Sequence, residues 1–340
     1  MTPGAIHFSA PGKLFLLGEY AVLEGAAALL TAVDRRARVR LAPAPDNQWR
    51  ISAPNLGLHD QPLAGDGSLP PACDDTLADR LKVFDAVRAY VAARLDRPLP
   101  ALTVHIDTAD FAVDGHKLGL GSSAAVAAAL TAALARAAEL TLSQQTLAEW
   151  AIAAHRAAQN GTGSGGDVAV SIYGGLISYV RDTPPQALAW PAALTGRAVV
   201  TGQGASTPDL VARVYAYGQR DAAGFAADIA RLGGLAREAS SALADTSVFL
   251  DLAQRYFTAL KTLDTHAAAG IVSARHEHLA ALAAQHRGVF KSSGAGGGDV
   301  GLLFANHHSA SAALYGAFAA AGAEVLDLGF NAPGLCQEPA

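Results

Sequence analysis

The sequence predicts an α+β fold divided into two domains, and three observations lead to that class. At 340 residues, 51% of them apolar and 16% charged, the chain is long enough to bury two sizeable cores. Strand-like and helix-like apolar periods are mixed, without the steady alternation that builds a doubly wound sheet. The adjacent prolines Pro184 and Pro185 separate two strand patterns, and the character of the chain changes shortly after them. The domains are therefore taken as residues 1–192 and 193–340.

The elements follow in chain order. Residues 14–17 form an apolar strand, bracketed by Pro11, Gly12 and Lys13 before it and Gly18, Glu19 and Tyr20 after it. Turns at both places would put Lys13 and Glu19 at opposite strand ends. Residues 43–75, rich in Pro, Asp and Gly, read as loops around short strands or as an insertion, and residues 83–95 as a helix. Leu102, Val104 and Ile106 alternate with Thr103, His105 and Asp107, the pattern of a half-buried strand. An alanine-rich helix spans 124–140, and a second begins near Thr141 or Ser143, both able to cap it, and runs to about residue 158. Strands are expected at 175–180 and 198–201. The second half continues with a helix at 209–216, two or three more to about residue 286, and a glycine-rich turn. A strand at 300–305, a helix at 309–321 and a strand at 324–328 complete it.

Charge and composition exclude several classes of function. The net charge of −5 comes with no basic run, so nucleic acid is not the expected partner. The longest apolar stretch, 124–135, is too short to span a bilayer and is followed by Arg136. Residues 1–11 lack the basic start and apolar centre of a signal peptide. Cys73 and Cys336 lie too far apart in sequence for a disulfide framework or a metal-type spacing. The expectation is a cytoplasmic protein in a reducing compartment, away from membranes. Lysines number only five, against a majority of Arg, and three of them (Lys13, Lys117 and Lys291) lie in or beside glycine-rich segments. That placement suggests a need for a compact ammonium.

Four glycine-rich segments carry the chemistry. The central one, K-L-G-L-G-S-S-A-A at 117–125, leads directly into the alanine-rich helix. Glycines let the backbone approach a ligand closely, and the helix start offers free N–H groups and a positive dipole end. Together they form an anion site suited to a polyphosphate, to which Lys117 adds charge and Ser122 and Ser123 add hydroxyls. Read alone, the segment also fits a plain helix start. A dinucleotide fingerprint is disfavoured, because residues 114–117 separate any strand from Gly119. The other segments are S-A-P-G-K-L-F-L-L-G-E-Y at 9–20, K-S-S-G-A-G-G-G-D at 291–299, and G-T-G-S-G-G-D at 161–167. In the last, Asp167 fits either a carboxylate facing a cleft or an ordinary helix N-cap.

Three of these segments, 9–25, 117–125 and 291–300, resemble the three signature motifs of the GHMP kinases and occur in that family's order. The resemblance implies a two-domain fold, with an N-terminal domain like ribosomal protein S5 domain 2 and a ferredoxin-like C-terminal domain. ATP and Mg²⁺ would be the cofactors. Lys117, Gly119, Leu120, Gly121, Ser122, Ser123 and Ala124 would hold the nucleotide, with Ser122 a ligand of the metal. Lys13, Asp167 and Lys117 would be catalytic. Glu19, Tyr20, Arg156, Ser164, Gly165, Ser206, Thr207, Ser293, Gly294, Ala295, Gly296, Gly297 and Asp299, together with Lys13, would contact a phosphorylated or hydroxy-acid substrate.

Within the family, Lys13, the K-L-G-L-G-S-S loop and the segment from His155 to Gln159 look like the phosphomevalonate kinase branch. One departure bears on this. Mevalonate kinases place a metal-binding Glu about three helical turns before the Asp that matches Asp167, where this chain has Arg156. Arg156 suits a substrate carrying its own phosphate, or is a solvated helix residue. The implied rivals are a hydroxyl-phosphorylating relative such as mevalonate kinase, an ATP-dependent decarboxylase, and a ligand-sensing relative without turnover.

Overall fold

The computed structural model describes residues 5–113, 116–202, 206–298 and 300–339. The first half comprises strands β1 (Ile6–Leu17), β2 (Ala28–Pro43), β3 (Arg50–Ala53) and β4 (Leu58–Pro62), then helix α1 (Asp75–Ala92) and strand β5 (Leu102–Asp107). A small hairpin of β6 (Ala112–Val113) and β7 (His116–Lys117) precedes helices α2 (Ser122–Ala137), α3 (Gln144–Ala158) and α4 (Gly166–Tyr173). Strands β8 (Leu176–Tyr179) and β9 (Gln186–Leu188) follow. The second half runs β10 (Leu194–Val200), α5 (Thr207–Arg220), α6 (Ala222–Ala242), α7 (Thr246–Ala267) and α8 (Ala274–Gln285). It then continues β11 (Gly288–Ser292), β12 (Val300–Asn306), α9 (Ala312–Ala320) and β13 (Cys336–Gln337). Among the described residues, no helix is long and apolar enough to cross a membrane.

Strand β2 organises the first sheet. Most of its length pairs antiparallel with β1, while its start pairs with β8 and its end with β5. The main path of the sheet is β13-β1-β2-β5-β3-β4. Alpha helices α2 and α4 pack on β1 and β2, and α1 and α3 pack on α2. Every residue of α2 from Ala124 to Ala135 is buried, which explains its alanine content. A helix surrounded on all sides must be apolar all round, and small side chains let sheet and neighbouring helices close on it.

Two expectations need correction. Pro11 and Gly12 do not end a turn; β1 runs straight through them with a bulge in its pairing to β2, so Lys13 lies within the strand rather than at its end. A proline lacks the N–H that a regular ladder needs, and a bulge accommodates it. The strand expected at 324–328 is reduced to a single bridge, Val199 to Val325, with two flanking backbone hydrogen bonds to β10. Ser143 rather than Thr141 caps α3, its hydroxyl accepting from the Thr146 N–H.

The second sheet, β10-β12-β11, is antiparallel. Its β12 residues alternate, Leu302 and Phe304 joining the main core and Leu303 and Ala305 a separate cluster with Leu279, Leu314 and Phe318. The chain's last strand does not stay with this half. β13 returns to pair with β1, Phe8 opposite Gln337 and Ser9 opposite Cys336.

His276, the third residue of α8, is fully buried between the two layers of this half. Its Nδ1 accepts from the Ser273 N–H at 3.2 Å, so the neutral ring carries its proton on Nε2, 3.2 Å from the Thr201 hydroxyl. Burial pushes its pKa down from 6.5 to about 4. Between those values the unfolded chain binds a proton that the folded chain refuses, so His276 removes stability as pH falls from about 6.5 towards 4. We expect the melting temperature to drop less between pH 7 and pH 5 in His276→Gln than in the native protein, as measured by calorimetry in matched buffers.

Candidate active site

The loop before α2 is built against β1. The Lys13 N–H donates to the Leu120 carbonyl at 2.8 Å, and the Lys13 ammonium donates to the Gly119 carbonyl at 3.2 Å. Gly12 makes the approach possible, since a Cβ there would sit 2.8 Å from the Leu120 oxygen. Gly121 is the N-cap of α2 in the left-handed region (φ 80°), and the Lys13 stem lies across it; a Cβ would come within 2.9 Å of Lys13 Cγ and Cε. No side chain caps α2, so the N–H groups of Ser122, Ser123 and Ala124 point out of a helix held rigidly by burial. The dipole end and the Lys13 ammonium make this a positive pole suited to a polyphosphate. Lys117, exposed on β7, is near enough to α1 to contribute to lowering the Asp79 pKa, after the larger effect of the Lys82 hydrogen bond.

The start of α4 faces the same region. Gly165 caps the helix in the left-handed conformation, and Asp167 in its first turn has a side chain 25% exposed, one oxygen accepting from the Val168 N–H. His155 of α3, buried, links the two helix starts: its Nε2 is 3.1 Å from Ser123 Oγ and its Nδ1 is 3.9 Å from Asp167 Oδ2. Ser164 is buried, its hydroxyl accepting from the Gly166 N–H. Arg156 departs from the expected phosphate contact. Its guanidinium is occupied by the Gly163 and Ser164 carbonyls and the Asp182 carboxylate, so it braces the loop ahead of α4.

The third loop is anchored to β1 from the other half of the chain. The Ser293 hydroxyl accepts from the Phe15 N–H at 3.1 Å and donates to the Phe15 carbonyl at 3.0 Å. The Tyr20 hydroxyl donates to the Ala295 carbonyl at 2.6 Å, and the Gly297 N–H to the Ile271 carbonyl. Gly294 and Gly296, like Gly297, take positive φ between these anchors. Behind the loop, the Lys291 ammonium and the Glu19 carboxylate form a buried ion pair at 2.6 Å, with the Tyr256 hydroxyl on the Glu19 carbonyl. Burial lowers the Lys291 pKa, opposed by the Glu19 charge, and raises those of Tyr20 and Tyr256. Glu19 and Tyr20 are thus turned inward as supports for the loop. Ser206 and Thr207 are exposed at the start of α5, and Asp299 lies outside the described residues.

Two loops converge on β1, one of them at a helix-start anion site that His155 links to the start of α4. The profile of the GHMP kinases N terminal domain matches residues 82–175. A phosphomevalonate kinase of Streptomyces sp. (strain CL190) is 31% identical over 334 residues, covering 86% of this chain and 88% of its own length. The chain belongs to the GHMP kinase family. A mevalonate kinase of Aeropyrum pernix is 31% identical over 181 residues, 53% of this chain and 52% of that enzyme. The structure of Streptococcus pneumoniae phosphomevalonate kinase in complex with phosphomevalonate and AMPPNP superimposes with a TM-score of 0.77 at 22% identity, covering 96% of this chain and all of the other. The family fold, two α+β halves, is the one described above.

As a GHMP kinase the chain is an ATP-dependent small-molecule kinase. The role of one residue of this kinase and the partner of another escaped the sequence reading. His155 was visible only as part of a familiar run, with no pattern to say that it joins α2 to α4. Lys291 stood out as one of five lysines, but its partner Glu19 is 272 positions away.

Gly121→Ala should weaken binding of a non-hydrolysable ATP analogue about tenfold by calorimetry, since it adds left-handed strain of about 1–2 kcal/mol and displaces Lys13. Lys291→Met leaves Glu19 buried without its partner and should cost about 3–5 kcal/mol in urea unfolding. Adding Glu19→Gln should recover part of that loss.

Proposed function

We propose that this kinase transfers the γ-phosphoryl group of ATP to 5-phosphomevalonate, giving ADP and 5-diphosphomevalonate in the mevalonate route to isoprenoids. The observation that carries this reading is the end-to-end likeness to the Streptomyces phosphomevalonate kinase, across 86% of this chain and 88% of that enzyme. Cytoplasmic ATP would supply the donor, to a protein working as a monomer or homodimer.

In this reading the N–H groups at the start of α2, with the Ser122 hydroxyl, take the ATP phosphates, and Ser123 lies beside them. Lys13 neutralises charge on the migrating group, which is the main task in phosphoryl transfer. Lys117 adds a second cation at the mouth of the loop. Mg²⁺ would offset charge on the phosphates. Among the described residues no three of His, Cys, Asp and Glu are grouped, and Mg²⁺ needs no such cage, because it takes one or two protein oxygens and keeps its waters. The Ser122 hydroxyl and the part-exposed Asp167 carboxylate are hard oxygen donors of the kind it takes.

A phosphate monoester has a second pKa of about 6 and is mostly dianionic at neutral pH, so the acceptor needs no base. Asp167 then orients Lys13 or the metal. Ser206 and Thr207 contact the acceptor from the second half, and the loop from Ser293 to Gly297 closes beside it. The second reading, a mevalonate kinase, draws on the Aeropyrum relative, equal in identity over half the chain. Its acceptor is a hydroxyl, and Asp167 would there remove the proton.

ADP release with ATP and Mg²⁺ against mevalonate, 5-phosphomevalonate, 5-diphosphomevalonate, galactose and homoserine decides between them. We expect turnover with 5-phosphomevalonate alone. Turnover with mevalonate alone overturns the acceptor, phosphate and carbon dioxide release with 5-diphosphomevalonate marks a decarboxylase, and no turnover marks a sensing relative. Lys13→Met should lower kcat about 10²–10³-fold. Asp167→Asn should impair metal or substrate binding. The orienting role is wrong if it leaves both intact and removes only the acid limb of the pH–rate profile.

A further inference from the structure

His155 sits where three helices meet, between two groups that the proposed function uses separately. Its ring is 2% exposed, with Ser123 Oγ on one nitrogen and the Asp167 carboxylate facing the other. The Gln159 side-chain amide nitrogen, one turn further along α3, is 3.2 Å from the same Nε2 as Ser123. An amide nitrogen only donates, so Nε2 is an acceptor and a neutral ring carries its proton on Nδ1. The carboxylate favours the same tautomer independently. An unprotonated Nδ1 would turn its lone pair towards the negative Asp167 at 3.9 Å, whereas Nδ1–H faces it favourably.

We propose that His155 is a positioning residue that couples the nucleotide-binding serine to Asp167. With Nε2 as acceptor, the Ser123 hydroxyl and the Gln159 amide share its single lone pair as donors, and the Ser123 oxygen lone pairs are left to face away from α3. At that position they accept from a ligand's bound water or join the oxygens around a metal ion, and do not compete as a donor for the helix carbonyls. With Nδ1–H towards Asp167, the ring holds the carboxylate in one rotamer without neutralising it. At 3.9 Å this is a charge–dipole contact and not a hydrogen bond, so it aims Asp167 while leaving Oδ2 available; Oδ1 accepts from the Val168 N–H. Gln159 fixes the ring plane from behind. Arg156, the next residue, braces the loop ahead of α4, so consecutive residues of α3 set the side chain and the backbone of the same site. The inference rests on the placement of the nucleotide at the start of α2.

The test separates the two nitrogens. In His155→Gln the distal amide reaches the Ser123 position and loses the Asp167 side; in His155→Asn the shorter amide reaches the Asp167 side and loses Ser123; His155→Phe loses both. Binding of AMPPNP with Mg²⁺ by calorimetry, steady-state kinetics and melting temperature are measured on each full-length variant. We expect His155→Phe to lose about tenfold in AMPPNP affinity and about 10–100-fold in kcat. His155→Gln should recover the affinity but not kcat, and His155→Asn should recover kcat but not the affinity. Equal losses of both quantities in all three variants, in step with a lowered melting temperature, would assign His155 to packing alone and overturn the proposal, as would no loss in any variant. Nitrogen-15 shifts of the His155 ring should report the Nδ1–H tautomer, and an Nε2–H ring is incompatible with the coupling. Two further variants separate the levels of argument: unchanged AMPPNP affinity in Gly121→Ala would remove the nucleotide from the start of α2, whereas loss in Gly121→Ala with none in Ser123→Ala would leave it there and overturn the coupling.

Discussion

The site depends on how the open edge of β1 is satisfied. Beyond Ala10, β13 no longer pairs with this strand, so the backbone from Lys13 to Phe15 faces outward with polar groups that need partners. Two loops supply them. Leu120 takes the Lys13 N–H, and the Ser293 hydroxyl takes the Phe15 N–H while donating to its carbonyl. An edge that would otherwise recruit another strand is instead closed by the segments proposed to hold donor and acceptor. Gly12 and the bulge at Pro11 belong to the same solution, since a side chain at residue 12 would hold the first loop away.

The second half of the chain is held to that edge by a buried pair of charges. Lys291 and Glu19 come from opposite halves, and both are buried. Such pairs contribute little net stability but penalise any arrangement that separates them, because each charge would be left alone in the interior. The pair therefore favours one register between the halves. Tyr256 and Tyr20, on the backbones of Glu19 and Ala295, extend that register into the glycine-rich loop. The loop's glycines supply the turn, and its anchors supply the order that glycines alone lack.

Local signals in the chain were legible, and pairings across it were not. The alanine-rich run announced α2, alternation at 102–106 announced β5, and glycine-rich motifs located all three loops. Strand β2, the organiser of the first sheet, was missed because its residues change from fully buried to alternating part-way along, which matches no single period. β11 was hidden in what read as the lead-in to a glycine-rich loop. In the site, Lys13 and Asp167 were visible as charges among small residues, and the fold places Lys13 within β1 against the loop before α2 and Asp167 in the first turn of α4. Arg156 read as a free guanidinium because no local pattern reveals Asp182, 26 positions on, as its partner. His155 carried no signal of its own, since its importance comes entirely from which two helices begin beside it.

The Lys13 and Phe15 anchors are two residues apart on one strand, and a strand rises about 3.3 Å per residue. The loops bound there are consequently spaced by roughly 7 Å of extended backbone, a length that side-chain substitution does not change and thermal motion changes little. Strand β1 acts as a ruler between the two loops. A helix or a flexible tether in its place would allow the spacing to breathe, whereas an extended chain already near full stretch gives a fixed interval. Adjustment to acceptors of different length must then come from the loop tips beyond the anchors.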